Sequence, residues 1–274
     1  MLRSEAARRR DTVVVPLRRR LARSAVVLFV LVVVLYIVSC VSLYENQRGL
    51  VYFPAGTHVP VSDTNFSFRN EGVTLRGWMM HPGLPRAVIY FGGNAEGVGA
   101  ERDDLAALFR QRTVYLVAYR GYGASEGAPD EKALFSDALA LFDTVKPHHA
   151  AIAVVGRSLG SGVASYLASK RPVERLALAT PFDSLEQVAQ AHYRLFPIDL
   201  LATERYESSR YIATYRGPIL VLRAGRDEIV PQESTDRLLA AVRVKPVVKA
   251  FPFAGHNTIS DDEAYAQALT DFMK

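Results

Sequence analysis

Between Ile152 and Ala164 the chain reads "IAVVGRSLGSGVA": strand-forming apolar residues stop on a glycine, one serine stands between two glycines, and small helix-compatible residues follow. A loop that needs only to be soluble has no use for this arrangement. A strand that ends in Gly-x-Ser-x-Gly and feeds directly into a helix forces a tight turn. The serine takes a strained backbone there, and its hydroxyl is lifted clear of the sheet. Gly156 and Gly160 leave the neighbouring backbone room to pass, while Ser161 and Gly162 keep the start of the helix slim against the adjoining strands. The short pattern alone is weak, so its meaning depends on the elements around it.

Those elements alternate. Downstream of Pro60, strand patterns cover Thr64 to Arg69, Val73 to Met80, Ala87 to Phe91, Val114 to Ala118, Ile152 to Val155, Leu176 to Ala179, Ile219 to Arg223 and Val247 to Phe251. Between and after them, "ERDDLAALFRQ", "DEKALFSDALALFDTV", "SGVASYLASKR", "ESTDRLLAAV" and "DDEAYAQALTDFMK" have helical spacing. This predicts an α/β domain over residues 61–274, with a mostly parallel eight-stranded sheet between helices and a leading antiparallel hairpin around Asn70 to Gly72. Ligands of such sheets sit at the carboxyl ends of the strands. Residues 182–216 break the rhythm with several aromatics and no strand, and are expected to form a small helical lid. The single cysteine, Cys40, excludes an internal disulfide or a cysteine-based zinc site. No metal or other cofactor is called for.

A serine hydroxyl needs a base of suitable pKa and a group to orient that base. Of the six histidines, His148 and His149 sit in a polar turn, His58 in a connector, His81 at a strand end and His192 in the insertion. His256, in "FPFAGHNTI", follows the last strand and precedes the last helix. In "ILVLRAGRDEIVP" Asp227 lies just past the preceding strand, with Glu228 as the adjacent alternative and Pro231 opening the next helix. The order Ser158, Asp227, His256 is one in which nucleophile, acid and base follow one another along known folds of this class. Oxyanion donors are expected from the backbone N–H of Leu159 and from "YFGGNAEG", where the N–H of Asn94 follows the tight Gly92–Gly93 turn.

Ahead of the domain, Ala25 to Leu43 runs "AVVLFVLVVVLYIVSCVSL" without a charge, long enough to cross a bilayer as a helix. Residues 1–24 hold eight arginines (Arg3, Arg8, Arg9, Arg10, Arg18, Arg19, Arg20, Arg23) against Glu5 and Asp11. This asymmetry predicts a cytoplasmic leader, a transmembrane anchor over 25–44, a connector over 45–60, and a domain on the extracytoplasmic side of a bacterial inner membrane. "IVSC" also matches a lipoprotein signal that ends at a lipidated Cys40, although the long basic leader favours an uncleaved anchor. Tyr52 and Phe53 in the connector suit either a lipid interface or the edge of the domain. The high sequence pI of 9.3 belongs to the leader. With the leader set aside, acidic side chains outnumber basic ones by one, and no nucleic-acid footprint is expected.

The segments "YFGGNAEG", "YRGYGASEG", "GRSLGSGVA", "TPFDSL", "AGRDEIVP" and "GHN" resemble the α/β-hydrolase superfamily, in particular its membrane-anchored serine hydrolases, which include depalmitoylating thioesterases and many uncharacterised bacterial members. The resemblance spans nearly everything from Gln47 onward. It implies hydrolysis of an acyl ester or thioester, with the substrate lipid-like where the membrane supplies it. It also implies that Tyr119 to Gly127 borders the site. Gly92 departs from the pattern, standing where relatives often carry histidine, which bears on the stiffness of that loop. Two competing expectations remain: a peptidase holding a free amine with Glu204 or Glu207, and a membrane scaffold that keeps the fold without turnover.

Overall fold

In the computed structural model, which describes residues 17–274, the chain divides into two compact units, Met1–Glu45 and Asn46–Lys274. The leader residues 1–16, with Arg3, Arg8, Arg9 and Arg10, lie outside the described residues. α1 (Leu17–Val51) carries the uncharged run, and its side chains there are largely exposed. It is the one helix among the described residues long and apolar enough to cross a membrane, with a mean hydropathy of 3.1 over its best 18 residues. The helix does not stop at 44. It continues through about half of the expected connector, past Gly49 to Val51, where Gln47 and Arg48 are bonded to the 182–216 segment, and Pro54 follows the break.

The second unit is built on an eight-stranded sheet of β1 (Phe66–Asn70), β2 (Val73–Met80), β3 (Arg86–Phe91), β4 (Thr113–Val117), β5 (Ala151–Arg157), β6 (Leu176–Ala179), β7 (Ile219–Ala224) and β8 (Val247–Phe251). The spatial order is β1-β2-β4-β3-β5-β6-β7-β8. β1 pairs antiparallel with β2 through the Asn70↔Val73 turn, β2 pairs antiparallel with β4, and all later pairs are parallel. The central strands carry Val, Ile, Leu and Ala on both faces and are fully buried, as a sheet covered on both sides requires.

The helices follow the strands: α2 (Arg102–Leu108), α3 (Glu131–Val145), α4 (Leu159–Lys170), then α5 (Leu185–His192), α6 (Ile198–Leu201) and α7 (Ser208–Ile212), then α8 (Gln232–Ala241) and α9 (Glu263–Met273). α3, α4, α7 and α8 pack in a row, and α2 meets α9. Right-handed crossovers place these two groups on opposite faces. Asp130, Ser184 and Asp262 cap α3, α5 and α9 by accepting backbone N–H bonds. The 182–216 segment is helical and strandless, as its composition predicts, in three short pieces.

Gly162 serves a different partner from the one expected. A Cβ there would meet Tyr206 and Phe182, so Gly162 makes room for the 182–216 insertion rather than for the neighbouring strands.

Candidate active site

The turn after β5 is as tight as its glycines suggest. Ser158 sits at φ 50 and ψ −119, a left-handed region that a side chain rarely adopts. Its N–H donates to the Ala179 carbonyl at 2.9 Å, and its own carbonyl accepts from the Ser161 N–H at 2.8 Å. Both flanking glycines are sterically required. A Cβ on Gly156 would collide with the backbone of Gly160, and one on Gly160 would collide with the Phe91 carbonyl and lie 2.7 Å from the Gly92 oxygen.

The loops after β7 and β8 bring two more groups to the same rim. His256, only 3% exposed, has Nε2 2.8 Å from Ser158 Oγ and Nδ1 2.9 Å from both carboxylate oxygens of Asp227. With the proton on Nδ1 donated to the carboxylate, Nε2 is left as an acceptor for the serine hydroxyl. Asp227 Oδ1 also accepts the N–H groups of Ile229 (3.0 Å) and Val230 (2.7 Å), which fix its rotamer. Glu228 does not face the imidazole; its carboxylate accepts the backbone N–H of His256 at 3.3 Å. Four of the other five histidines bond elsewhere: His58 to the Gly123 carbonyl, His81 to that of Ala106, His149 to Tyr115 and the Leu84 carbonyl, and His192 to the Ile229 carbonyl.

Leu159 opens α4, where the first N–H groups have no intrahelical acceptor. Among the described residues no acceptor takes the backbone N–H of Leu159 or of Asn94. The loop that carries Asn94 lies against the serine, since a Cβ on Gly93 would be 3.7 Å from Ser158 Cβ.

The stiffness that a histidine at position 92 would lend this loop comes from other side chains. Glu96 accepts from the Gly93 N–H (2.8 Å), the Tyr90 hydroxyl (2.7 Å) and Arg157 (3.2 Å). Tyr119 donates to the Gly92 carbonyl at 2.9 Å and Tyr122 to the Asn94 carbonyl at 2.6 Å, so the "YRGYGASEG" segment does border this loop. Burial pushes the Tyr122 phenol up to about 12, which keeps its proton available to donate. Position 92 has no space for a larger residue, because a Cβ would press on Val98 and on the Glu96 carboxylate.

Arg157, the first variable residue of Gly-x-Ser-x-Gly, reaches two ways: to Glu96, and through its other nitrogen to the Asn257 carbonyl at 3.2 Å, next to His256. Burial is the largest single influence and works against its charge, but Glu96, Tyr90, Tyr265 and Glu101 together outweigh it and hold the guanidinium above its ordinary value. One cation therefore ties the glycine loop to the histidine loop. Sequence reasoning missed Glu96 and Arg157. The available signal was a carboxylate three residues into a glycine turn and an arginine inside the serine motif.

The two acidic residues that a peptidase would need are engaged elsewhere. Glu204 is buried and accepts from Arg48 Nε (3.2 Å), Tyr52 Oη (2.5 Å) and the Glu131 N–H (2.7 Å), while Glu207 pairs with Arg210 at 3.0 Å. Tyr52 is accordingly inside the domain, and Phe53 stays half exposed with its N–H on the Tyr122 hydroxyl. Cys40 falls in the middle of the continuous α1.

No family model matches the chain. An uncharacterised protein of Mycobacterium tuberculosis strain H37Rv is 34% identical over 249 residues, which cover 84% of this chain and 88% of that one. A lysophosphatidylserine lipase, ABHD12 of Danio rerio, is 28% identical over 220 residues, 68% of this chain and 58% of that protein. Among solved structures, an esterase of Pyrococcus furiosus superposes with a TM-score of 0.61 at 18% identity, over 77% of this chain and 89% of its own.

Proposed function

The chain belongs to the α/β-hydrolase superfamily, and from that premise we propose that it is a membrane-anchored serine hydrolase that cleaves carboxylic esters or thioesters. The observation that carries this reading is the continuous hydrogen-bonded line from Ser158 Oγ through His256 to Asp227, at 2.8 and 2.9 Å. Ser158 Oγ attacks the acyl carbon and gives its proton to His256 Nε2, while Asp227 holds the imidazole and steadies its positive charge. The N–H groups of Leu159 and Asn94 receive the developing oxyanion, and each such donor is worth about 10²–10³ in rate. His256 then passes the proton to the departing alcohol or thiol. A water molecule, deprotonated by the same imidazole, releases the carboxylate and restores the serine.

The apolar α1 supports attachment to a membrane, with the uncleaved helix favoured over a lipidated Cys40. The arginine-rich leader supports a cytoplasmic N-terminus and a domain on the far side of a bacterial inner membrane. Membrane attachment and the name of the Danio rerio relative both point to a lipid-like acyl substrate. The bonds that engage Glu204 and Glu207 count against the peptidase reading.

The test is labelling of the purified full chain with a fluorophosphonate probe. Labelling is expected in the wild type and lost in both Ser158→Ala and His256→Ala. A folded wild type that stays unlabelled supports the non-catalytic scaffold and overturns the proposal.

A further inference from the structure

The insertion between β6 and β7 presents large apolar side chains to the outside. Leu195 is 83% exposed and Leu200 is 78% exposed, with Tyr193 and Arg194 also at the surface. This turn between α5 and α6 is built to present them. The Gln190 amide donates to the carbonyls of Tyr193 (3.5 Å) and Phe196 (3.2 Å) and accepts the Ile198 N–H (3.1 Å), while Ile198 is buried beneath. The other large apolar side chain as exposed in this unit, Phe253, lies under the Arg226 guanidinium at 5.3 Å.

The same segment is fastened to the residues that follow the apolar run. Gln47 donates to the Leu201 carbonyl at 3.3 Å and accepts the Thr203 N–H at 2.7 Å. Arg48 and Tyr52 hold Glu204, Tyr52 also meets the Tyr206 hydroxyl at 2.7 Å, and Glu131 accepts the N–H groups of Arg205 (2.7 Å) and Tyr206 (2.9 Å). Gln47 is four residues past Leu43, the end of the uncharged run. Four residues reach about 14 Å even when fully extended, so whatever angle the chain takes, Leu201 stays close to the point where it leaves the bilayer.

We propose that the Tyr193–Leu200 turn is a docking surface for the bilayer itself, seated at the headgroup level beside the exit of α1; this rests on the reading of α1 as a membrane anchor. Leu195 and Leu200 enter the acyl boundary, and Tyr193 and Arg194 take the interfacial layer, where an aromatic ring and a guanidinium facing phosphate are both favoured. The docked segment is also linked to the chemistry. His192, the last residue of α5, bonds the Ile229 carbonyl at 2.8 Å, and Ile229 donates its N–H to Asp227. The docked segment is therefore joined through two hydrogen bonds to the loop that carries Asp227.

The test uses full chains in which Trp78→Phe removes the native tryptophan, carrying Leu195→Trp, Leu200→Trp or, as a control on the exposed edge strand, Val248→Trp, each reconstituted in mixed phosphatidylcholine and phosphatidylglycerol vesicles. The lipid is either plain or brominated near the top of its acyl chains. Leu195→Trp and Leu200→Trp are expected to be quenched about twofold, as for side chains some 5–10 Å below the headgroups, and Val248→Trp hardly at all. If the first two are no more quenched than the control while the chain resists alkaline carbonate extraction, the docking surface is wrong and the anchor stands. Release of the chain by carbonate overturns the anchor and the docking surface together.

Discussion

The turn after β5 and the turn after β3 meet at the same serine, yet they are held in opposite ways. Arg157–Gly160 is fixed by exclusion: Ser158 is locked at positive φ because the Gly156, Gly160 and Phe91 backbones leave no alternative. Gly92–Glu96 is fixed by recruitment, through the hydroxyls of Tyr90, Tyr119 and Tyr122, the guanidinium of Arg157 and the carboxylate of Glu96. A turn held by sterics tolerates no added atom and is indifferent to charge. A turn held by polar side chains should accept added atoms where space allows and fail when a charge is removed.

The sharpest contrast comes from adding one methyl group to each turn. In Gly160→Ala the new Cβ would lie on the Phe91 carbonyl, which is backbone of a fully paired strand and cannot yield. The expected cost is about 3 kcal/mol or more, seen as failure to accumulate or a fall in Tm above about 6 °C, with fluorophosphonate labelling lost. Gly97→Ala, at the far end of the glycine loop, meets only Thr57 Cα at 3.9 Å, which is ordinary contact, at φ −77. It should keep the wild-type Tm and labelling rate. Equal effects from the two substitutions would end the distinction.

A smaller effect separates what charge does for stability from what it does for rate. Glu96→Gln leaves Arg157 buried beside a neutral amide, and the loss of one partner of a buried pair costs about 3 kcal/mol. Ester hydrolysis should fall about 10- to 100-fold, mostly in kcat, because the Asn94 donor loses its alignment. In Glu96→Gln/Arg157→Gln the stranded charge is gone, so Tm should recover part of the loss while kcat stays low, a coupling that a double-mutant cycle measures directly. Full recovery of rate along with Tm would mean that the pair is only structural.

The same contrast explains what could be read from the sequence. The eight strands and the Gly156 and Gly160 turn depend on residues next to one another along the chain, and their positions emerge within about two residues; Ser158, Asp227 and His256, far apart in sequence, could be named because each follows the end of its own strand. The order β4-β3-β5 and the extension of α1 through the connector depend on long-range packing. So do Glu96 and Arg157: they lie 61 residues apart, and nothing local marks either one as the other's partner. The pairing of Tyr52 with Glu204 was out of reach for the same reason; a tyrosine beside an apolar run suits a lipid interface and a domain edge equally until its buried carboxylate, 152 residues away, is seen.

The smallest expected effect concerns Glu101, behind the recruited turn. Burial, and next to it the like charge of Glu96, raise its carboxyl above the usual value of 4.5. A raised folded-state pKa means that the native protein binds this proton more tightly than the unfolded chain, so the group's contribution falls as pH rises from the ordinary carboxylate range through the raised value. Above that value Glu101 is ionised in both states, and the native state bears the strain. Glu101→Gln removes the charge and should raise Tm at pH 8 relative to pH 4, by roughly 1 °C given the group's partial exposure. The same comparison made on Gly160→Ala should show a deficit of equal size at both pH values, because a collision between a methyl group and a carbonyl does not titrate. A Tm gain for Glu101→Gln that is flat with pH would assign its effect to packing rather than to the like charge of Glu96.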